Sequence, residues 1–164
     1  MKLVFILSAL VLFSACGKSQ NSSGGSSTDR YVDPIVDSQG SLRELTVLIN
    51  DHRRRMRLPA LTRIRVLDVE SQMHALNMAQ GRVPFGHWGM SERCLRARRE
   101  VPRANQCGEV VARFQVHAEA ALTSWLSSWS HRRQLEDRRY RALGLGMALD
   151  REGRPYWVAM LLER

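Results

Sequence analysis

Four side chains in the middle of this chain are of types that move protons or hold cations. They are His87, which follows a glycine, Glu92, Glu109, which follows Cys107 and Gly108, and His131, which closes an aromatic stretch. Imidazole and carboxylate are both good ligands for a divalent cation such as zinc. Either can also take a proton from water, as a general base does. Singly, each of the four reads equally well as an ordinary structural residue. No activated nucleophile accompanies them. The chain has no Gly-x-Ser-x-Gly and no His-Glu-x-x-His, and its His117-Ala118-Glu119 lacks the Pro-Cys-x-x-Cys of a zinc deaminase.

The cysteines place this chemistry in a compartment. Cys16 closes a segment with the pattern of a signal peptide: Lys2, an apolar run from Leu3 to Phe13, then Ser14-Ala15-Cys16. The run is too short for a mature transmembrane helix. Small residues before the cysteine suit the processing of a bacterial lipoprotein, in which the thiol takes a diacylglyceryl group, although Phe13 stands where Leu, Val or Ile is usual. We expect a signal peptide over residues 1–15, lipidation of Cys16 and firm anchorage to a membrane, because lipoproteins carry more than one acyl chain. Residues 17–28 are small and polar and read as a flexible tether. With the linker extended to residue 40, the folded domain covers residues 41–164, enough for one core. Setting Cys16 aside leaves Cys94 and Cys107, an even pair in an oxidising compartment. A disulfide is the economical reading, with a metal-binding or free thiol pair as its rival.

The charge balance is 25 Lys plus Arg against 16 Asp plus Glu, a net +9. Such a field favours anionic partners. Export to the bacterial envelope, in the periplasm or at the cell surface, argues against nucleic acid. It points instead to anionic lipid, lipid A phosphates or cell-wall polymer. The clusters Arg53–Arg55, Arg96–Arg99, Arg132-Arg133 and Arg138–Arg141 fall on expected helices and read as solvated faces.

The elements that must position these residues follow from periodicity. Ser41 and Glu44 form a capping box, and Leu42, Leu45, Leu48 and Ile49 recur at helical spacing, so a first helix is expected over 41–57. Thr62 is the expected cap of a second helix that ends at Gly81 and carries Leu67, Glu70, Ser71, His74, Ala75 and Met78 on one stripe. A short helix is expected from Ser91 to Arg99, a strand over 108–114 and an aromatic helix over 116–129. Residues 143–149 and 156–162 flank a turn at 150–154 and read as a hairpin. Helices first and antiparallel strands last indicate α+β. His52 is expected on a solvated arginine-rich face and His74 on the core stripe, with Trp88 beside His87 and Trp125, Trp129 and Trp157 in the core.

Several of these pieces, in order, resemble the CAP superfamily of cysteine-rich secretory, antigen 5 and pathogenesis-related 1 proteins, in its bacterial branch, also called the SCP domain. Leu48-Ile49-Asn50-Asp51-His52-Arg53 and Leu58-Pro59-Ala60-Leu61 resemble its opening helix and Leu-Pro-x-Leu turn. Phe85-Gly86-His87 is similar to its Phe-Ser-His, Gly108-Glu109-Val110-Val111-Ala112 to its Gly-Glu-Asn-Ile-Ala, and Trp125 to Arg132 to its Trp-x-x-Ser-x-x-His-Arg. Leu143 to Ala148 and Tyr156-Trp157-Val158 resemble its closing strands.

The resemblance implies an α-β-α sandwich with a central antiparallel sheet and a cleft lined by two histidines and two acidic residues. Carried over, these are His87, Glu109 and His131, with Glu92 as the fourth and Glu100 as its competitor. Val110 replaces the family's asparagine and removes a polar neighbour, while Gly86 replaces its serine, so a looser turn is expected there. The implied role is binding of lipid, wall fragment or protein by a tethered monomer, with a divalent metal such as zinc held by His87 and His131. The alternative is a hydrolase acting on peptide or peptidoglycan through the same tetrad.

Overall fold

A computed structural model describes residues 34–164, with side chains from Ser38 onward. Cys16, the expected signal peptide and most of the expected tether lie outside the described residues. The elements run α1 (Pro34–Arg55), β1 (Thr62–Arg63), α2 (Arg65–Ala79), α3 (Met90–Glu100), β2 (Cys107–Arg113), α4 (Ala118–Ser127), α5 (Trp129–Leu135), β3 (Tyr140–Leu149) and β4 (Pro155–Glu163). None of the described helices is long and apolar enough to cross a membrane.

The sheet has four strands in the order β1-β3-β4-β2. The hairpin β3–β4 forms its middle, and β2 adds antiparallel to β4 with Glu109 opposite Met160. The two-residue β1 joins β3 in parallel, so the sheet is mixed rather than wholly antiparallel. Both faces are covered, which explains the nearly continuous apolar runs of the last two strands. On one face, Leu42, Leu45 and Ile49 of α1 and Ala121, Leu122 and Trp125 of α4 pack on Leu143, Leu145, Trp157, Ala159 and Leu161. On the other, Leu67, Ala75 and Met78 of α2 and Cys94 and Ala97 of α3 pack on Val111, Val158, Met160 and Leu162. The architecture is therefore the expected α-β-α sandwich.

Two glycines set how closely α2 approaches. A Cβ on Gly144 would lie 2.1 Å from the Leu67 carbonyl carbon, and one on Gly146 would lie 2.3 Å from the Gln72 nitrogen. Bare backbone at both positions lets the helix rest directly on β3. From there Asp68 accepts the Leu145 N–H at 2.9 Å, while Gln72 accepts the Met147 N–H at 3.1 Å and donates to the Met147 carbonyl at 2.9 Å. These side chains satisfy the edge of β3 beyond the point where β1 ends.

Three expectations about the elements need correction. Helix α1 begins at Pro34, so Ser41 and Glu44 lie within it and do not cap it; a proline at the first position has the backbone angle a helix start needs. Thr62 forms β1, and α2 starts three residues later with Ile64 at its N-cap. The aromatic helix breaks at Ser128, which is extended at φ −89° and ψ 119°. Serine hydroxyls on both sides of the break bond locally, Ser127 to the Thr123 carbonyl and Ser128 with Ser130, and compete with helix continuation. The restart turns Trp129 outward to 74% exposure, so it is not a core residue. Trp125 and Trp157 are buried, as expected.

Arg53 also departs from the solvated picture. Arg53 is fully buried four residues after Ile49, on the apolar stripe of α1. It donates to the carbonyls of Pro59, Leu135, Asp137 and Tyr140, knitting the end of α1 to the turn before β3. Beside it, His52 is mostly covered and donates from Nε2 to Glu136 at 2.9 Å.

Candidate functional site

The site forms over β2, the edge strand of the sheet. Along β2, Val110 and Ala112 point to the α1 and α4 layer, while Val111 packs under α2 and α3. Alternation therefore puts Glu109 on the α2 and α3 side. Its side chain is buried, at 3% residue exposure, against Arg93 from α3, at 6%. The Arg93 Nε and Nη2 atoms donate to Glu109 Oε2 at 2.9 and 2.6 Å, and Nη2 also reaches Oε1 at 2.9 Å. Such a bidentate geometry is the strongest form of arginine–carboxylate pairing.

The remaining nitrogen of Arg93 reaches into the loop before α3. Its Nη1 donates to the Trp88 carbonyl at 2.7 Å, and His87 in turn donates from Nδ1 to Glu109 Oε1 at 2.9 Å. A proton on Nδ1 leaves the Nε2 lone pair of His87 as the free acceptor of that ring. One arginine thus holds the carboxylate and the loop that carries the histidine.

His74 fixes the same loop from α2. Its Nε2 donates to the Gly86 carbonyl at 2.7 Å and lies 3.8 Å from Glu109 Oε1. Gly86 has φ +142°, a conformation that a serine would adopt only with strain. The glycine is therefore what this turn requires, and His74 ties it down where a looser turn was expected. Burial holds the His74 imidazole below the ordinary histidine range.

His131 enters from α5, with its ring centroid 5.8 Å from that of His87 at an interplanar angle of 71°. Burial, and then the neighbouring His87, lower the basicity of His131. Next to Glu109, a Cβ on Gly108 would lie 2.2 Å from Gln134 Oε1, so the glycine lets α5 sit against β2 and brings His131 to the site. The disulfide is formed: Cys94 and Cys107 join α3 to the start of β2 with Cα atoms 5.9 Å apart. Their neighbours are Arg93 on one side and, two residues on, Glu109.

Of the four residues singled out from the sequence, His87, Glu109 and His131 come together. Glu92 is exposed and lines an open hollow of about 610 Å³ together with His74, His87, Trp88 and Arg93, but it makes no hydrogen bond to the other three. Glu100 stands at the far end of α3, beside Val101 and Arg164 in a different hollow. Trp88 lies on the rim at 68% exposure, as expected for a cleft residue. Sequence reasoning missed Arg93 and His74 as site residues. The signal for Arg93 was its position between Met90 and Ala97 on the apolar stripe of α3, where a cation needs a buried acid.

The donors are chemically suited to a divalent cation at only two places, the His87 and His131 rings. Both Glu109 oxygens are occupied by Arg93, and no group of three or more His, Cys, Asp or Glu side chains with metal-site spacing occurs among the described residues.

Comparison with known proteins bears on the fold and the family. Among curated protein sequences there is no match to the chain. Among solved structures, an outer surface protein of Borrelia burgdorferi superimposes with a TM-score of 0.65 at 18% identity, covering 78% of this chain and 96% of that one. An extracellular SCP-domain protein of Bacillus anthracis gives a TM-score of 0.66 at 22% identity, over 81% of this chain and 44% of its own. A cysteine-rich secretory protein of Staphylococcus aureus gives 0.65 at 19% identity, over 80% and 41%. The chain therefore spans less than half the length of the last two. These likenesses establish the fold. The model of the cysteine-rich secretory protein family, CAP, matches residues 47–161, and the chain belongs to that family.

Proposed function

We propose that this protein is an envelope-tethered CAP-domain binding protein whose cleft, lined by His87, His131 and Glu92, holds a lipid or wall-fragment ligand. The observation that carries this reading is the His87–Glu109–Arg93 chain, which fixes one ring and leaves its Nε2 lone pair as acceptor 5.8 Å, centroid to centroid, from His131. The free Nε2 of His87, with the His131 ring edge-to-face beside it and the exposed Trp88 and Glu92 lining the hollow, suits a ligand with hydroxyl or ammonium donors and an apolar part.

A divalent cation fits the same pair, since neutral imidazoles are good zinc ligands. His87 and His131 would hold it, and it would supply Lewis acidity toward a ligand oxygen. Two protein ligands leave further positions for the bound molecule. Turnover with Glu109 as the base is disfavoured, because a general base must be free to accept a proton and Glu109 is tied at both oxygens by Arg93.

The Cys16 anchor is read from the sequence, and the extracellular and outer-surface descriptions of the similar structures support a place in the envelope or at the surface. Thermal melting with zinc, with envelope lipid extract and with soluble wall fragments tests the reading. A rise in melting temperature with at least one, lost in His87→Ala and His131→Ala, is expected. No shift with any of them would sink it.

A further inference from the structure

Helix α5 has two faces, and only one belongs to the cleft. His131 turns to His87 and Leu135 is buried, whereas Trp129, Arg132, Arg133 and Glu136 recur on the opposite side at intervals of three and four residues. With Asp137 and Arg139 they line a separate hollow of about 380 Å³. We propose that this outer face docks on an anionic phospholipid bilayer, with Trp129 entering the headgroup region and Arg132 and Arg133 engaging lipid phosphates. The inference goes beyond the cleft and does not depend on what the cleft binds.

Charge accounting within the hollow carries the argument. Its two carboxylates are already used: Glu136 accepts His52 at 2.9 Å, and Asp137 accepts Arg139 at 2.5 Å. Arg132 and Arg133 pair with no carboxylate among the described residues. The Arg132 Nε donates to the Leu126 carbonyl at 2.6 Å, and the Arg133 guanidinium lies 5.4 Å from the Trp129 ring centre. Two arginines with no carboxylate partner, in a hollow whose arginines outnumber its carboxylates by one, therefore flank a tryptophan that is 74% exposed.

An amphipathic ring beside guanidinium groups is the arrangement favoured at a membrane interface. Guanidinium also matches phosphate in shape as well as charge. A lipid on Cys16, as the sequence leads us to expect, would hold the domain within reach of such a surface.

The test is flotation of the chain beginning at Gly17 with vesicles of phosphatidylcholine alone and with about one-third phosphatidylglycerol. Every buried hydrophobic residue of the two cores lies between Leu42 and Leu162, so this chain keeps the whole folded unit and lacks the lipid that would bind by itself. Binding to anionic but not neutral vesicles is expected. Arg132→Ser with Arg133→Ser should weaken it roughly thirtyfold, from two surface cations. Trp129→Ala should weaken it severalfold without lowering the melting temperature. Arg82→Ser with Arg151→Ser, an equal charge change in a hollow beside the end of α2, should keep at least half of the binding. Equal loss in that control, equal binding to neutral vesicles, or binding to a soluble anionic wall polymer with none to anionic vesicles would each overturn the proposal.

Discussion

Arg93 lies along the carboxylate of Glu109 with nitrogens at 2.6 and 2.9 Å, and both side chains are buried beneath the loop that carries His87. A buried pair adds little net stability over an apolar substitute, but losing one partner leaves the other charge stranded. Arg93→Ala should destabilise the domain by roughly 3–5 kcal/mol in urea unfolding. Arg93 and Glu109 replaced together by methionine and glutamine should recover much of that loss. A cost for the double variant equal to that for Arg93→Ala would contradict the account.

The disulfide supports the same pair from behind. Cys94 and Cys107 are 13 residues apart, a loop whose closure stabilises by about 3 kcal/mol on the chain-entropy model. Cys94→Ala with Cys107→Ala should lower stability by about that amount. It should also broaden the NMR signals of His87 more than those of Trp157 in the core, because α3 is then held to β2 mainly through Arg93. Uniform broadening would argue against a link between the bridge and the site.

Much of this was legible in the sequence, and the failures share a cause. Periodicity and turn residues fixed the hairpin, the α2 stripe and the order of helices and strands, because those depend on local pattern. Arg53 was read as solvated because charge alone suggests it, and Arg93 was not singled out at all. Each continues an apolar stripe, and that position, not the charge, foretold burial. Trp129 failed the other way: an aromatic at helical spacing looks like core until the helix restarts at Ser128. The closeness of His87 and His131 depends on long-range packing of α5 on β2, for which no local pattern exists, and only the family resemblance anticipated it.

The bare backbone at Gly144 and Gly146 gives a prediction separate from the site. A methyl group at either would meet helix backbone at 2.1–2.4 Å, and backbone cannot swing aside as a side chain can. Gly144→Ala and Gly146→Ala should each cost roughly 1–3 kcal/mol or more. Gly153→Ala has open space around it, and its cost comes from the positive φ of +74° alone. Equal costs at Gly144 and Gly153 would show that α2 does not rest on β3 as described.

Acidification should loosen the fold through His74 and His131. Burial lowers the basicity of His74 and His131 in the folded state, so below about pH 6.5 the unfolded chain binds more protons than the native one. Stability contributed by these two groups is complete above the unfolded value and is lost as the pH falls through the native one. The urea midpoint should therefore drop between pH 7.5 and pH 5, and His131→Gln should reduce that drop. An unchanged midpoint across this interval would contradict the burial of both rings.

The account turns on His87 presenting Nε2 as an acceptor toward a ligand shared with His131. Long-range proton–nitrogen NMR of the imidazole rings tests this most directly. In the free protein His87 should carry its proton on Nδ1, and its Nε2 signal should move together with a nitrogen of His131 when zinc, envelope lipid or a wall fragment is added. A proton on Nε2 of His87, or two rings that no ligand perturbs, would contradict it.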